Sequence, residues 1–300
     1  MIPILFGVTS ITFLLFNVVI DDPAVLLAGK SASPERLAQI RAELGTDQPM
    51  YIQYLNSVKQ IFTFDFGRSW SSQQKVSETI MQGIGPSLTL TVPAFAISVL
   101  LSICLALGTA FFRGSWVDKM ATVVALALMS ISSLVYIMVF QNFFGYTLGV
   151  FPISGWDSSM TGRWEYVQLP WLIWIVLSLG PNLLVYRTAI LDEYFQDYVR
   201  TARAKGLAEG VVLFKHVLKN ALIPIITIVV VQMPFLITGS LLLEAFFGIP
   251  GLGGMLYQAI NNSDFPVIRA MVVIGTLLYM TFNLLADLMY AVVNPRVRLS

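Results

Sequence analysis

Arg200, Arg203 and Lys205 lie within six residues of one another just ahead of Gly206, in the run Asp197-Tyr198-Val199-Arg200-Thr201-Ala202-Arg203-Ala204-Lys205-Gly206-Leu207. Guanidinium and ammonium groups at this density pair with carboxylates or phosphates. Covalent chemistry is not expected. No Ser/His/Asp, Cys/His or paired-carboxylate arrangement has a supporting context. Cys104 stands alone in an apolar run and His216 is the single histidine, so neither builds a metal site. A second set of polar groups falls within or near apolar runs: Gln232 with its neighbour Met233, Glu244, Asn283 and Asp287. Ionisable groups inside a membrane mark pathways by default. For Glu244 and Asp287 the competing reading, a carboxylate that caps, pairs or meets water near a helix end, is favoured.

The elements that must position these residues are apolar. Hydrophobic residues make up 56% of the 300 and charged residues 12%, against about 25% charged in soluble domains. Runs near the roughly 20 residues that cross about 30 Å of hydrocarbon predict an all-α, polytopic protein with six spans: Ile2–Ile20, Ser87–Phe112, Met120–Phe140, Leu169–Ile190, Leu222–Leu243 and Ile268–Val292. The first lacks a basic start and a clear cleavage site, so an uncleaved anchor is expected. Lysine and arginine set the orientation. Arg113, Lys119, Arg187, Arg200, Arg203, Lys205, Lys215, Lys219, Arg296 and Arg298 share one side, whereas the short loops opposite hold only Arg163, with Arg269 just inside the last span. The basic side is cytosolic, and both termini are placed there. The whole chain, 1–300, is read as one membrane domain with a lipid environment and no nucleic-acid partner. It carries an external loop over 21–86 and a cytosolic loop over 191–221.

In the external loop, Ser33-Pro34 predicts a helix start and Gly45 its end, with Leu37, Ile40 and Leu44 on one face. A second helix after Pro49 carries the stripe Tyr51, Tyr54, Leu55, Val58, Ile61 and Phe62. It either packs on the outer ends of the spans or forms a lid over a pathway. Pro224, Pro234 and Gly239 are expected to break or loosen the fifth span. Ala24–Ser31 looks like a phosphate-binding loop, but its opening glycine is Ala24 and no strand precedes it. Gly248–Gly254 fails as a dinucleotide fingerprint because position 256 is leucine. In the cytosolic loop, acids Asp192, Glu193 and Asp197 precede the bases, which suits a helix dipole, and Gly206 supplies the stop. A small-residue tip at Thr201, Ala202 and Ala204 fits either a groove on another protein or an interfacial helix held against anionic lipid.

Asp197–Leu207 (DYVRTARAKGL) followed by Lys215–Gln232 (KHVLKNALIPIITIVVVQ) resembles the cytoplasmic loop of permeases of ATP-binding-cassette importers, in their dipeptide/oligopeptide branch. Ile2–Val18, Ala42–Leu55, Phe64–Trp70, Leu241–Ile268 and Asn283–Arg298 resemble further parts of the same family, so the likeness covers nearly the whole chain. It implies the type I importer permease fold. Arg200-Thr201-Ala202 takes the place of the family's Glu-Ala-Ala and Gly206 that of its glycine. Tyr198 through Leu207 would then contact the ATPase. The glutamate is absent, so its salt bridge does not carry over. Asn261–Pro266 replaces a more basic stretch, and the basic segment ahead of the first span is missing, which leaves the N-terminal elbow unassigned.

The resemblance therefore implies one of two homologous permease subunits in a bacterial inner membrane. It would be fed by an external solute-binding protein and driven by two cytosolic ATPases that bind the ATP, with no cofactor in this chain. Di- and oligopeptides are the expected cargo; nickel chelates, glutathione or another small solute are alternatives. An ion-coupled secondary transporter would need inverted repeats and mid-membrane carboxylates. A membrane anchor recruiting a cytosolic protein is the third reading.

Overall fold

The computed structural model describes residues 2–15, 23–28, 32–159 and 161–293. These residues are helical throughout apart from loops and one isolated bridge, Arg68–Lys75. They form two compact units, one from the N-terminus to Gly83 with Met255–Met280, the other from Ile84 to Gly254 with the chain after Thr281.

In the first unit, Ser33 accepts from the Arg36 amide at the start of the helix Pro34–Leu44, and Gly45 closes it. The next helix, Met50–Thr63, turns inward along Tyr54, Ser57 and Ile61. Tyr54 meets Phe6 and Phe13 edge-on and shares a hydrogen bond with Ser10 on the helix Ile2–Leu14. The expected six-residue stripe is split, since Tyr51, Leu55 and Phe62 face outward. Asp264 is buried and gathers the Ser69–Ser71 turn, accepting from both hydroxyls and from the Trp70 and Ser71 amides. Trp70 stacks edge-on against Phe265. Arg269 donates to Ser57 at 3.3 Å.

Most of the long apolar helices lie in the second unit, while residues 76–83 and 265–280 belong to the first. Four are long and apolar enough to cross a membrane, Val76–Phe111, Arg163–Tyr194, Glu209–Phe247 and Phe265–Met289, and a fifth candidate is the pair Trp116–Ser130 and Ser133–Thr147. Six is thus not reached among the described residues. Only Ile2–Leu14 of the first expected span forms a described helix, and 16–20 lie outside those residues. So do 29–31 of the rejected phosphate-loop lookalike, and Arg296 and Arg298. The third span corrects the sequence reading. It is not one rod but two helices meeting at 91°. The chain turns extended at Ile131 within a serine-rich break, and the carbonyl of Leu128 is recovered by the Tyr136 hydroxyl at 3.0 Å. The fifth span also breaks, with Leu218–Gln232, Pro234–Thr238 and Leu241–Phe247 in succession. Gly239 makes the second break at φ 76°, ψ −177°, a conformation essentially restricted to glycine. Pro224 stays inside an unbroken helix. Arg187 grips Asp118 through two bonds of 2.8 and 2.9 Å, and the Gly114 amide donates to the same carboxylate. Large apolar side chains such as Leu100, Val123 and Met138 remain exposed on the helix faces, as lipid or a second subunit requires.

Candidate functional site

The charged run forms a helix, Asp197–Ala204, with Gln196 as its N-cap. It has one packed face. Val199 and Ala202 are buried in a cluster with Tyr186, Ile190, Val212, Leu213 and Val217, which seats the helix on the end of Arg163–Tyr194 and on the start of the next span. Thr201, Ala204, Lys205, Gly206 and Leu207 are exposed, and Tyr198 sits at the margin of that face. Gly206 is left-handed at φ 80°, with nothing within 4 Å of where a Cβ would stand. Its requirement is therefore conformational, not steric.

The basic residues divide. Arg200 is exposed and makes only a 3.3 Å pair with Asp197, one turn back; such a pair contributes little. Arg203, by contrast, is committed within the chain. Its Nε and terminal nitrogen reach the two oxygens of Glu209 at 3.0 and 2.7 Å. Its guanidinium also lies 4.3 Å from the centre of the Tyr194 ring, and the Tyr194 hydroxyl donates to Glu209. The Arg203 hydrogen bond is the main reason the Glu209 carboxyl is held below its ordinary value. This strap bridges the Gly206 turn and ties the helix to the spans on either side. Tyr198 donates to Glu193 at 2.6 Å, and burial, followed by that bond, pushes its phenol up to about 12. Glu209 and Tyr194 escaped the sequence reading, although a glutamate three residues past the glycine is a visible counter-charge.

The second set of polar groups disperses. Glu244 is fully buried. Ser87 and the Ser240 amide donate to one of its oxygens at 2.8 and 3.2 Å, and the Gly254 amide to the other at 2.9 Å. Ser87 in turn accepts from the Leu252 amide at 2.7 Å. Every partner donates, which suits an acceptor-only carboxylate. A Cβ on Gly239 or Gly251 would collide with the Glu244 carboxylate. The cage pins the broken end of one span to the Gly248–Gly254 turn. Asn283 is half-buried and Asp287 exposed on the last helix. Gln232 is different. It borders a cavity of about 510 Å³ with Ser133, Trp174, Ser178, Asn182 and Ser240, against an apolar wall that includes Ile137 and Leu241–Leu243. Met233 and Glu244 do not line it. Trp174, Ser178 and Asn182 recur every four residues, one face of a helix, and that spacing was the signal available in the sequence.

The family model for the binding-protein-dependent transport system inner membrane component matches residues 98–299, and the model for that component's N-terminal part matches 1–91. The chain belongs to this family of permeases. Among similar permeases, a putative peptide transport system permease protein of Brucella abortus (strain 2308) is 36% identical over 301 residues, covering 99% of this chain and 96% of the relative. A counterpart from Brucella suis biovar 1 is 36% identical over 300 residues, with 99% and 95% covered. The glutathione transport system permease protein of Salmonella typhimurium is 34% identical over 298 residues, with 99% and 96% covered. As a permease of this family the chain is a multi-pass inner-membrane component of a binding-protein-dependent importer, energised by an ATPase.

Proposed function

We propose that this permease forms half of the translocation pathway of an ATP-driven importer of di- and oligopeptides. It pairs with a second, homologous permease, receives cargo from a solute-binding protein outside, and rests on two cytosolic ATPases that bind the ATP. The chain itself carries no cofactor and catalyses no reaction, both termini lie in the cytosol, and 1–300 acts as one membrane domain. The observation that carries the reading is the helix Asp197–Ala204, packed on one face and bare on the other between two spans. A helix seated this way transmits displacement, because its buried face and the Arg203–Glu209 strap move with the spans while Thr201, Ala204 and Lys205 stay free for an ATPase groove. The relatives named for peptides and glutathione support the cargo class.

The test is uptake of a labelled dipeptide by the assembled four-subunit complex with its binding protein. Uptake should require ATP. Arg203→Glu should abolish it with the protein still inserted in the membrane, and the exchanged pair Arg203→Glu with Glu209→Arg should recover a substantial part. Uptake by this chain in liposomes under an ion gradient without ATPases would overturn the reading, and normal uptake by the Arg203→Glu single variant would remove the coupling role of the strap.

A further inference from the structure

The cavity beside Gln232 is the part of the molecule whose chemistry the coupling segment does not explain. It has no charged side chain among its lining residues. Its polar groups are amides, hydroxyls and one indole. One of them stands unsatisfied, the buried Trp174 Nε1–H, while Asn182, 7% exposed, makes no side-chain hydrogen bond among the described residues. Gln232 also has no side-chain partner there. Unsatisfied donors and acceptors inside a membrane protein are costly unless something else meets them. The cavity abuts the place where the fifth span breaks, and Ser240, just after the Gly239 turn, is one of its walls. Backbone of this kind in a membrane is tolerated where it lines a cavity.

We infer that this cavity is a transit site for the solute inside the permease, and that it reads the amide groups of a peptide backbone without reading side-chain charge. Asn182 and Gln232 each offer a donor and an acceptor, the complement of a peptide unit. Trp174 adds an indole N–H and a flat apolar face, and Ile137 with Leu241–Leu243 supplies an apolar wall for side chains of any length. A neutral site suits a passage that must release what it binds, since a fixed charge would hold one class of peptide and reject another. The inference rests on the peptide reading above and adds the contact residues to it.

The experiment uses the reconstituted importer with its binding protein saturated in turn by Ala-Ala, Ala-Lys or Ala-Glu. Within one preparation, the ratio of Ala-Lys to Ala-Glu uptake is independent of how much complex is assembled. Gln232→Glu preserves side-chain shape and adds a negative charge, and should raise that ratio by at least about tenfold over wild type, since even a water-screened contact of opposite sign for the two cargoes supplies that factor. Asn182→Asp should move it the same way and provides the readout if the first variant fails to assemble. A merely structural role would change all three uptakes together and leave the ratio alone. An unchanged ratio in both variants, as expected if only lipid chains occupied the cavity, would overturn the transit site while leaving the importer reading intact. Failure of the wild-type complex to import any of the three dipeptides would overturn the peptide reading and this inference with it.

Discussion

Glu244 shows how little a residue's type says about its role until its neighbours are known. From the sequence it reads either as a pathway carboxylate or as a cap near a helix end, and it proves to be neither exposed nor in the cavity. Its oxygens collect Ser87 and two backbone amides, and glycines at 239 and 251 make room for it. Replacement by glutamine keeps the volume but turns an NH₂ group toward one of these donors, whichever way the amide is flipped. Leaving a buried donor unmet costs about 1–3 kcal/mol. Glu244→Gln should therefore lower the thermal midpoint of the detergent-solubilised complex. An unshifted midpoint would show that the cage does not hold the Gly248–Gly254 turn. Arg203 makes the converse point. Charge density suggested a group aimed at another protein, yet its bidentate bond to Glu209 and its stacking on Tyr194 spend it within the chain, leaving Arg200 and Lys205 as the outward charges.

At the scale of elements, the short helix and its glycine stop were legible from an acidic start, a basic end and Gly206. Because the space around Gly206 is open and its φ is positive, Gly206→Ala should cost only the left-handed penalty of about 1–2 kcal/mol and reduce uptake partially. Gly206→Pro, whose φ is fixed near −65°, cannot make the turn and should abolish uptake, with both variants inserted normally. Equal uptake by the two would mean that the turn is not what positions the helix. The bend at Ser130–Ser133 was not legible. It contains neither proline nor glycine, and its one local mark is three serines in four residues. What sustains it is a tertiary bond, from Tyr136 back to the Leu128 carbonyl, together with packing of Tyr136 and Ile137 among Leu90, Ile173 and Phe247. The fifth span was the opposite case, since Pro234 and Gly239 announced its breaks.

At the scale of the whole molecule, the asymmetry of lysine and arginine predicts a cytosolic 191–221 loop and an external 21–86 loop. Single cysteines introduced at the exposed positions Lys205 and Gln74, in a Cys104→Ser background, should report this with a membrane-impermeant maleimide. Gln74→Cys should react in cells whose cytoplasmic membrane is intact, and Lys205→Cys only after that membrane is opened. The reverse pattern would invert the topology and remove the basis for ATPase contact. Asp118 is buried against Arg187, so a cation counted in the charge tally is also a strut between the helices Trp116–Ser130 and Arg163–Tyr194.

The amino-acid sequence by itself determined the membrane environment, most of the apolar spans and the existence of a charged helix ending at a glycine. Those properties follow from composition and short-range periodicity, which act within a few turns of one chain. Tertiary structure alone decided that Arg203 is internal, that Glu244 is caged, that the third span bends, and that Ser133, Trp174, Asn182 and Gln232 share one cavity. The cage and the cavity join groups far apart in the chain, whereas the Arg203–Glu209 and Tyr136–Leu128 bonds are short-range and turn on how each helix is seated; no local pattern encodes the register in which helices meet.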